Sequence, residues 1–131
     1  MFTDGGARGN PGPAAIGVVI KDNKHKVMHK IGKYIGVTTN NDAEYTALIE
    51  GLTFLIDLKY SQVNCYLDSE LVVKQLNGLY KVKNINLKKH WNKIKVLEKK
   101  FSHVVYKHLT REKNKEADEL VNQVLDSAST Q

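Results

Sequence analysis

Four carboxylates, Asp4, Glu44, Asp68 and Asp118, stand where expected strands end or expected helices begin. Three have short polar or glycine neighbours: Thr3-Asp4-Gly5-Gly6, Thr39-Asn40-Asn41-Asp42-Ala43-Glu44 and Asn114-Lys115-Glu116-Ala117-Asp118. Asp68 follows the apolar alternating run that closes at Leu67, and precedes Ser69. If a fold gathers these groups, two of them about 4 Å apart repel by roughly 4 kcal/mol at an effective dielectric near 20. Divalent cations or raised pKa values make such a cluster tolerable, so the quartet is a candidate metal site. Oxygen-only donors select hard cations, Mg²⁺ or Mn²⁺, over zinc. Beside a basic surface they suit two-metal phosphoryl transfer, in which paired ions about 3.5–4 Å apart activate water and stabilise the leaving oxygen.

Taken singly, each acid also has a plain structural explanation. Asp4-Gly5 reads as a turn dipeptide. Asn41 to Glu44 has the spacing of a capping box, with Asn41 as cap. Asp68 or Ser69 could cap a short helix. Asp118 falls in a first helical turn after an Asn114 cap, where the helix dipole favours negative charge.

The elements that must position these acids follow from hydrophobic period. Met1 to Asp4 reads as a strand end, followed by a glycine-rich loop from Gly5 to Pro13. Ala14 to Asp22 is a strand, a turn at Asp22-Asn23-Lys24 follows, and His25 to Ile35 is the third strand, with Gly36 to Asn40 as a loop. Asn41 to Leu58 has helical period through Ala47, Leu48, Gly51, Leu52, Leu55 and Ile56. Gln62 to Asp68 is a strand, Ser69 to Leu76 a short helix ended by Asn77-Gly78, and Asn86 to Lys100 an amphipathic helix carrying Trp91 on its apolar stripe. Ser102 to Leu109 is a fifth strand and Asn114 to Ser127 a closing helix. The order βββαβααβα implies an α/β fold: a mixed five-stranded sheet, three antiparallel strands and then parallel additions, with helices on both faces. In such sheets ligand sites form beyond strand ends, where these acids lie.

The 131 residues, 41% hydrophobic and 26% charged, fit a single globular domain, 1–131. No apolar run approaches the roughly 20 residues of a membrane span. No signal-peptide pattern opens the chain, so no membrane association and a cytoplasmic location are expected. Cys65 stands alone, which excludes a disulfide framework and a cysteine-based zinc site. The net charge of +6 is unevenly spread: Lys74 to Lys115 holds twelve lysines and Arg111 against Glu98 and Glu112, a balance of about +11. That asymmetry suits a polyanionic partner, and equally a solubilising lysine face. Absence of Gly-Lys-Ser/Thr excludes a P-loop.

Together, Thr3-Asp4-Gly5-Gly6-Ala7-Arg8-Gly9-Asn10-Pro11-Gly12-Pro13, Thr38-Thr39-Asn40-Asn41-Asp42-Ala43-Glu44, Asp68-Ser69 and Arg111-Glu112-x-Asn114-x-x-Ala117-Asp118 make the chain resemble the type 1 ribonucleases H. The motifs occur in the family's order and span nearly the whole chain, and βββαβααβα is the order of its fold. The resemblance implies endonucleolytic hydrolysis of the RNA strand of RNA/DNA hybrids, leaving 5′-phosphate and 3′-hydroxyl ends, with double-stranded RNA open as a second substrate. It makes Asp4, Glu44, Asp68 and Asp118 the ligands of two Mg²⁺ ions, with Mn²⁺ as substitute, Asp4 bridging both. Glu44 matches a residue that also reaches a ribose 2′-hydroxyl, the group that distinguishes the strands. Asn10, Thr39, Asn40, Asn41 and Asn84 match positions that contact the nucleic-acid backbone, fixing register without reading sequence. A monomer needing no protein partner is expected.

The chain departs from the larger bacterial members in several places. Gly78 to Asn86 is too short for their basic protrusion, and no separate hybrid-binding domain is expected. The loop carrying their mobile histidine is also missing, as in the shorter archaeal-type enzymes. There an arginine in this motif aids catalysis or substrate binding, which makes Arg111 a candidate and His108 a weaker one; a surface ion pair of Arg111 with Glu112 or Glu116 is the competing expectation. The chain also starts three residues before Asp4, where relatives usually carry a longer strand, and Glu70 stands where many have a neutral amide. Two rival functions remain: a non-catalytic hybrid-binding module, and a ribonuclease H domain detached from a larger reverse transcriptase-like protein.

Overall fold

Ala14–Ile20 is apolar throughout, which gives a strand two apolar faces, and the fold covers both. The computed structural model describes residues 1–129. Strands β1 (Phe2–Ala7), β2 (Gly12–Lys21) and β3 (Val27–Thr38) are antiparallel neighbours, and β4 (Gln62–Leu67) and β5 (His103–His108) extend the sheet in parallel, in the order β3-β2-β1-β4-β5. Helix α1 (Asn40–Asp57) packs on one face, where Val18 and Ile20 join Tyr45, Leu48 and Leu52 in the main core. Helix α4 (Lys115–Ser129) covers the other, where Ala15 meets Val121 and Leu125. Helices α2 (Glu70–Leu76) and α3 (Ile85–Glu98) complete the main core through Val72, Leu76 and Ile94. No helix among the described residues is long and apolar enough to cross a membrane.

Small residues set how closely the helices approach. A Cβ on Gly17 would overlap the carbonyl of Ala117 in α4, and one on Gly5 would overlap the backbone of Ala43 and Glu44 in α1. That close approach corrects the expected loop at Gly5 to Pro13. Gly5 and Gly6 continue β1, opposite Ile16 and Ala15, and at Gly5 the backbone of α1 leaves no room for a side chain. Likewise the expected loop Gly36 to Asn40 is strand as far as Thr38, opposite Gly12, and helix from Asn40.

The parallel pairing places the acids. Thr3 pairs with Leu67 across β1 and β4, so the next residue of each strand, Asp4 and Asp68, emerges at the same sheet end. Leu67 is in turn opposite His108 of β5, and Leu109 N–H donates to the Leu67 carbonyl at 2.9 Å. The chain then makes a turn of 3-10 helix, Arg111–Asn114, that delivers α4 to the same end.

Candidate active site

Asp4, Glu44 and Asp68 offer carboxylate oxygens that all lie within 4.8 Å of one another. Asp4 and Glu44 are buried, and Asp68 is partly so. Glu44 reaches the cluster because it shares the inward stripe of α1 with Leu48, Leu52 and Leu55, and its Oε2 is buried without a hydrogen-bond partner. Burial first, then the charges of Asp4 and Asp68, push the Glu44 carboxyl well above the usual carboxylate range, against a lowering contribution from the Gly5 backbone N–H. The Asp4 carboxyl is pushed up to about 7 by burial, then by Asp68 and Asp118. A buried all-oxygen cluster that resists ionisation and leaves one oxygen unpartnered fits hard divalent cations.

Asp118 stands outside the 4.8 Å group, in the first turn of α4. It is nevertheless close enough to raise the Asp4 pKa, and Asn122 Nδ2 donates to its Oδ2 at 3.5 Å. Thus three of the expected acids meet, and the fourth flanks Asp4.

The local explanations for the acids divide. The cap of α1 is Thr39, not Asn41: Thr39 Oγ1 accepts from Asp42 N at 3.2 Å. Glu44 therefore has no capping-box role and is available to the cluster. Thr39→Ala is expected to cost about 1 kcal/mol in urea unfolding, the usual worth of an N-cap. Ser69 caps α2, accepting from Val72 N at 3.3 Å, which leaves the Asp68 carboxylate to the cluster. Asn114 is no cap for α4 either. It is almost fully buried, donating through Nδ2 to the Thr3 carbonyl at 2.9 Å and to Asp68 Oδ2 at 3.5 Å, and so ties β1, Asp68 and α4 together. Sequence reading missed this role because an asparagine among charged residues looks like a helix start.

The expected backbone-contacting residues all line one cleft of about 540 Å³ beside α1 and α3: Asn10, Thr39, Asn40, Asn41 and Asn84. Three amide oxygens are already committed. Asn40 Oδ1 accepts from Ala7 N at 2.8 Å, Asn10 Oδ1 from Asn40 N at 3.0 Å, and Asn84 Oδ1 from Leu87 N at 3.1 Å. The bonds fix each amide so that Nδ2, a pure donor, remains for a ligand; such donors suit anionic oxygens.

Arg111 is exposed and forms neither expected ion pair, since Glu116 binds Lys21 at 2.7 Å and Lys30 at 3.9 Å. His108 is an exposed strand residue at the same sheet end. Glu70 is exposed and paired with Lys74 at 2.8 Å, which also lowers its pKa, so its charge is directed along α2. Trp91 packs on the core with Nε1 donating to the Gln75 carbonyl at 3.1 Å, as its place on the apolar stripe implies.

A family model described as reverse transcriptase-like matches residues 2–124. A bifunctional protein of Mycobacterium tuberculosis is 39% identical over 127 residues, covering 96% of this chain but 35% of that protein, so the chain spans about a third of that relative's length. The crystal structure of RNase H1 from the halophilic archaeon Halobacterium salinarum superposes with a TM-score of 0.93 at 36% identity, covering 96% of each chain. That of LC11-RNase H1 in complex with RNA/DNA hybrid has a TM-score of 0.93 at 48% identity, covering 97% of this chain and 96% of the other.

Proposed function

Because this chain belongs to the type 1 ribonuclease H family, we propose that it is a metal-dependent endoribonuclease cutting the RNA strand of RNA/DNA hybrids to 5′-phosphate and 3′-hydroxyl ends. The observation that carries this reading is the meeting of Asp4, Glu44 and Asp68 within 4.8 Å beside the cleft of oriented amides. A module that only bound hybrid would gain nothing from carboxylates aimed at phosphates. Asp4, Glu44, Asp68 and Asp118 would hold two Mg²⁺ ions, with Mn²⁺ as substitute. Asp4, which interacts with each of the other three acids, would contribute to holding both ions. When bound, the cations ease ionisation of the attacking water and stabilise charge on the leaving oxygen.

The chain's own groups do the rest. Asn10, Thr39, Asn40, Asn41 and Asn84 hold the hybrid backbone and thereby set which phosphodiester faces the acids. Glu44 is the carboxylate assigned to the ribose 2′-hydroxyl, which restricts attack to the RNA strand. Arg111, exposed and uncommitted among the described residues, supplies positive charge to the phosphate. Every acid of the cluster comes from one chain, so a monomer would suffice for the proposed reaction.

The test is a panel of end-labelled substrates, with Mg²⁺ or Mn²⁺: RNA/DNA hybrid, single-stranded RNA, double-stranded RNA and duplex DNA. The hybrid's RNA is expected to be cut at many positions into 5′-phosphorylated products, with single-stranded RNA and duplex DNA left intact. Cleavage of double-stranded RNA would widen the substrate class. Hybrid binding without cleavage under either ion would establish the binding module instead. In the same assay Arg111→Ala is expected to lower turnover about tenfold or more; full turnover would reduce Arg111 to a surface residue. Because exposed lysines of α3 draw the polyanion, affinity is expected to fall steeply between about 50 and 200 mM salt.

A further inference from the structure

A phosphate entering the amide cleft meets one acid. Among the residues that line it, only Asp42 is negatively charged, against Lys89 and the imidazole of His90. A bare carboxylate there would oppose binding of a polyanion. Both of its oxygens are occupied. Oδ2 accepts from Thr38 Oγ1 at 2.8 Å, and Oδ1 meets His90 Nε2 at 2.5 Å. The histidine comes from α3, where its ring lies 6.4 Å from that of Tyr45, and Tyr45 is fixed by its hydroxyl donating to Gln75 Oε1 at 2.7 Å. The pair therefore joins the two helices that wall the cleft: α1, whose N-terminal turn carries Asn40 and Asn41, and α3, whose cap is Asn84. Its side chains are 29% and 25% exposed, so it faces the cleft rather than filling the core.

We infer that His90 is a positioning residue for substrate binding: its imidazole masks the Asp42 carboxylate, making the cleft receptive to a backbone phosphate of the hybrid. This rests on the function proposed above. A bare ion pair for stability would have no reason to sit among oriented donors, whereas an acid there needs a cationic or donor partner before an anion can bind.

The experiment measures KM and kcat for hybrid cleavage, and Kd for uncut hybrid in EDTA, for His90→Phe, His90→Asn, Asp42→Asn and the Asp42→Asn/His90→Phe double variant. Phe keeps a ring beside Tyr45 but cannot reach the carboxylate, so KM and Kd are expected to rise about tenfold while kcat moves less than about twofold. Asn donates a hydrogen bond without charge and is expected to fall between Phe and the parent. Removing the acid should rescue: the double variant is expected within about threefold of the parent, which loss of a purely structural contact would not give. No effect of His90→Phe, or a double variant as weak as the single one, would overturn the masking role. If the parent neither binds nor cuts hybrid, the proposed function falls and this role with it; if the parent cuts normally and only the variant pattern fails, the role alone falls.

Discussion

At pH 8 without divalent ions, Asp4→Asn is expected to make the protein more stable, and with Mg²⁺ supplied to slow hybrid cleavage about 10³-fold or more. Both effects come from one carboxylate. In the unfolded chain Asp4 ionises near 3.8; in the fold, burial and the neighbouring acids hold its pKa at about 7. Between those values the folded protein keeps a proton that the unfolded chain has released, so the stability contributed at low pH is lost as pH rises through about 7. Above that the metal-free protein carries buried like charges with nothing to balance them. Asparagine removes that charge, for an expected gain on the order of 2–4 kcal/mol at pH 8 that shrinks toward zero below about pH 4. Urea unfolding of parent and variant at both pH values, with and without Mg²⁺, checks it. Mg²⁺ should stabilise the parent more than the variant, because it binds the ionised cluster. A variant less stable than the parent at pH 8 would show that Asp4 supports the fold rather than straining it.

Gly5→Ala is expected to cost about 3 kcal/mol or more, among the largest effects of any single methyl group in this chain. The added Cβ would overlap backbone atoms of Ala43 and Glu44 rather than the end of a flexible side chain, so α1 itself must shift. That shift would also draw Glu44 from Asp4 and loosen the hold on divalent ions. Gly6→Ala, one residue along, is the control. Its Cβ would first meet Val121 Cγ1 at 3.5 Å, an ordinary contact, and the expected cost is under about 1 kcal/mol. Urea midpoints and Mn²⁺ affinity measured on both variants separate the two; equal costs would mean that α1 does not depend on the missing side chain.

The sequence carried the strand and helix order because apolar period is dense: Val63, Cys65 and Leu67 alternate on β4, and α1 repeats its inward stripe from Ala43 to Leu55. It failed at glycines, where local propensity says turn and tertiary packing says strand, as at Gly5 and Gly6. The acids were legible through their motifs, yet their meeting depends on the Thr3–Leu67 register, a long-range pairing invisible to local pattern. Caps were misassigned wherever several asparagines and threonines compete, because Thr39, Asn40 and Asn41 are chemically interchangeable until the helix direction is known. The Asp42–His90 pair was missed for a different reason: an acid and a base 48 residues apart in two polar helix faces give no periodic signal.

The most direct test follows cleavage of a hybrid labelled on its RNA strand, with metal-free protein to which Mg²⁺ or Mn²⁺ is added and then removed with EDTA, for the parent, Asp4→Asn and Asp68→Asn. Cleavage is expected to require the ion, to stop with EDTA and to be lost in both variants while each still binds the hybrid. Cleavage in EDTA, or full activity in both variants, would contradict a reaction run by the acidic cluster.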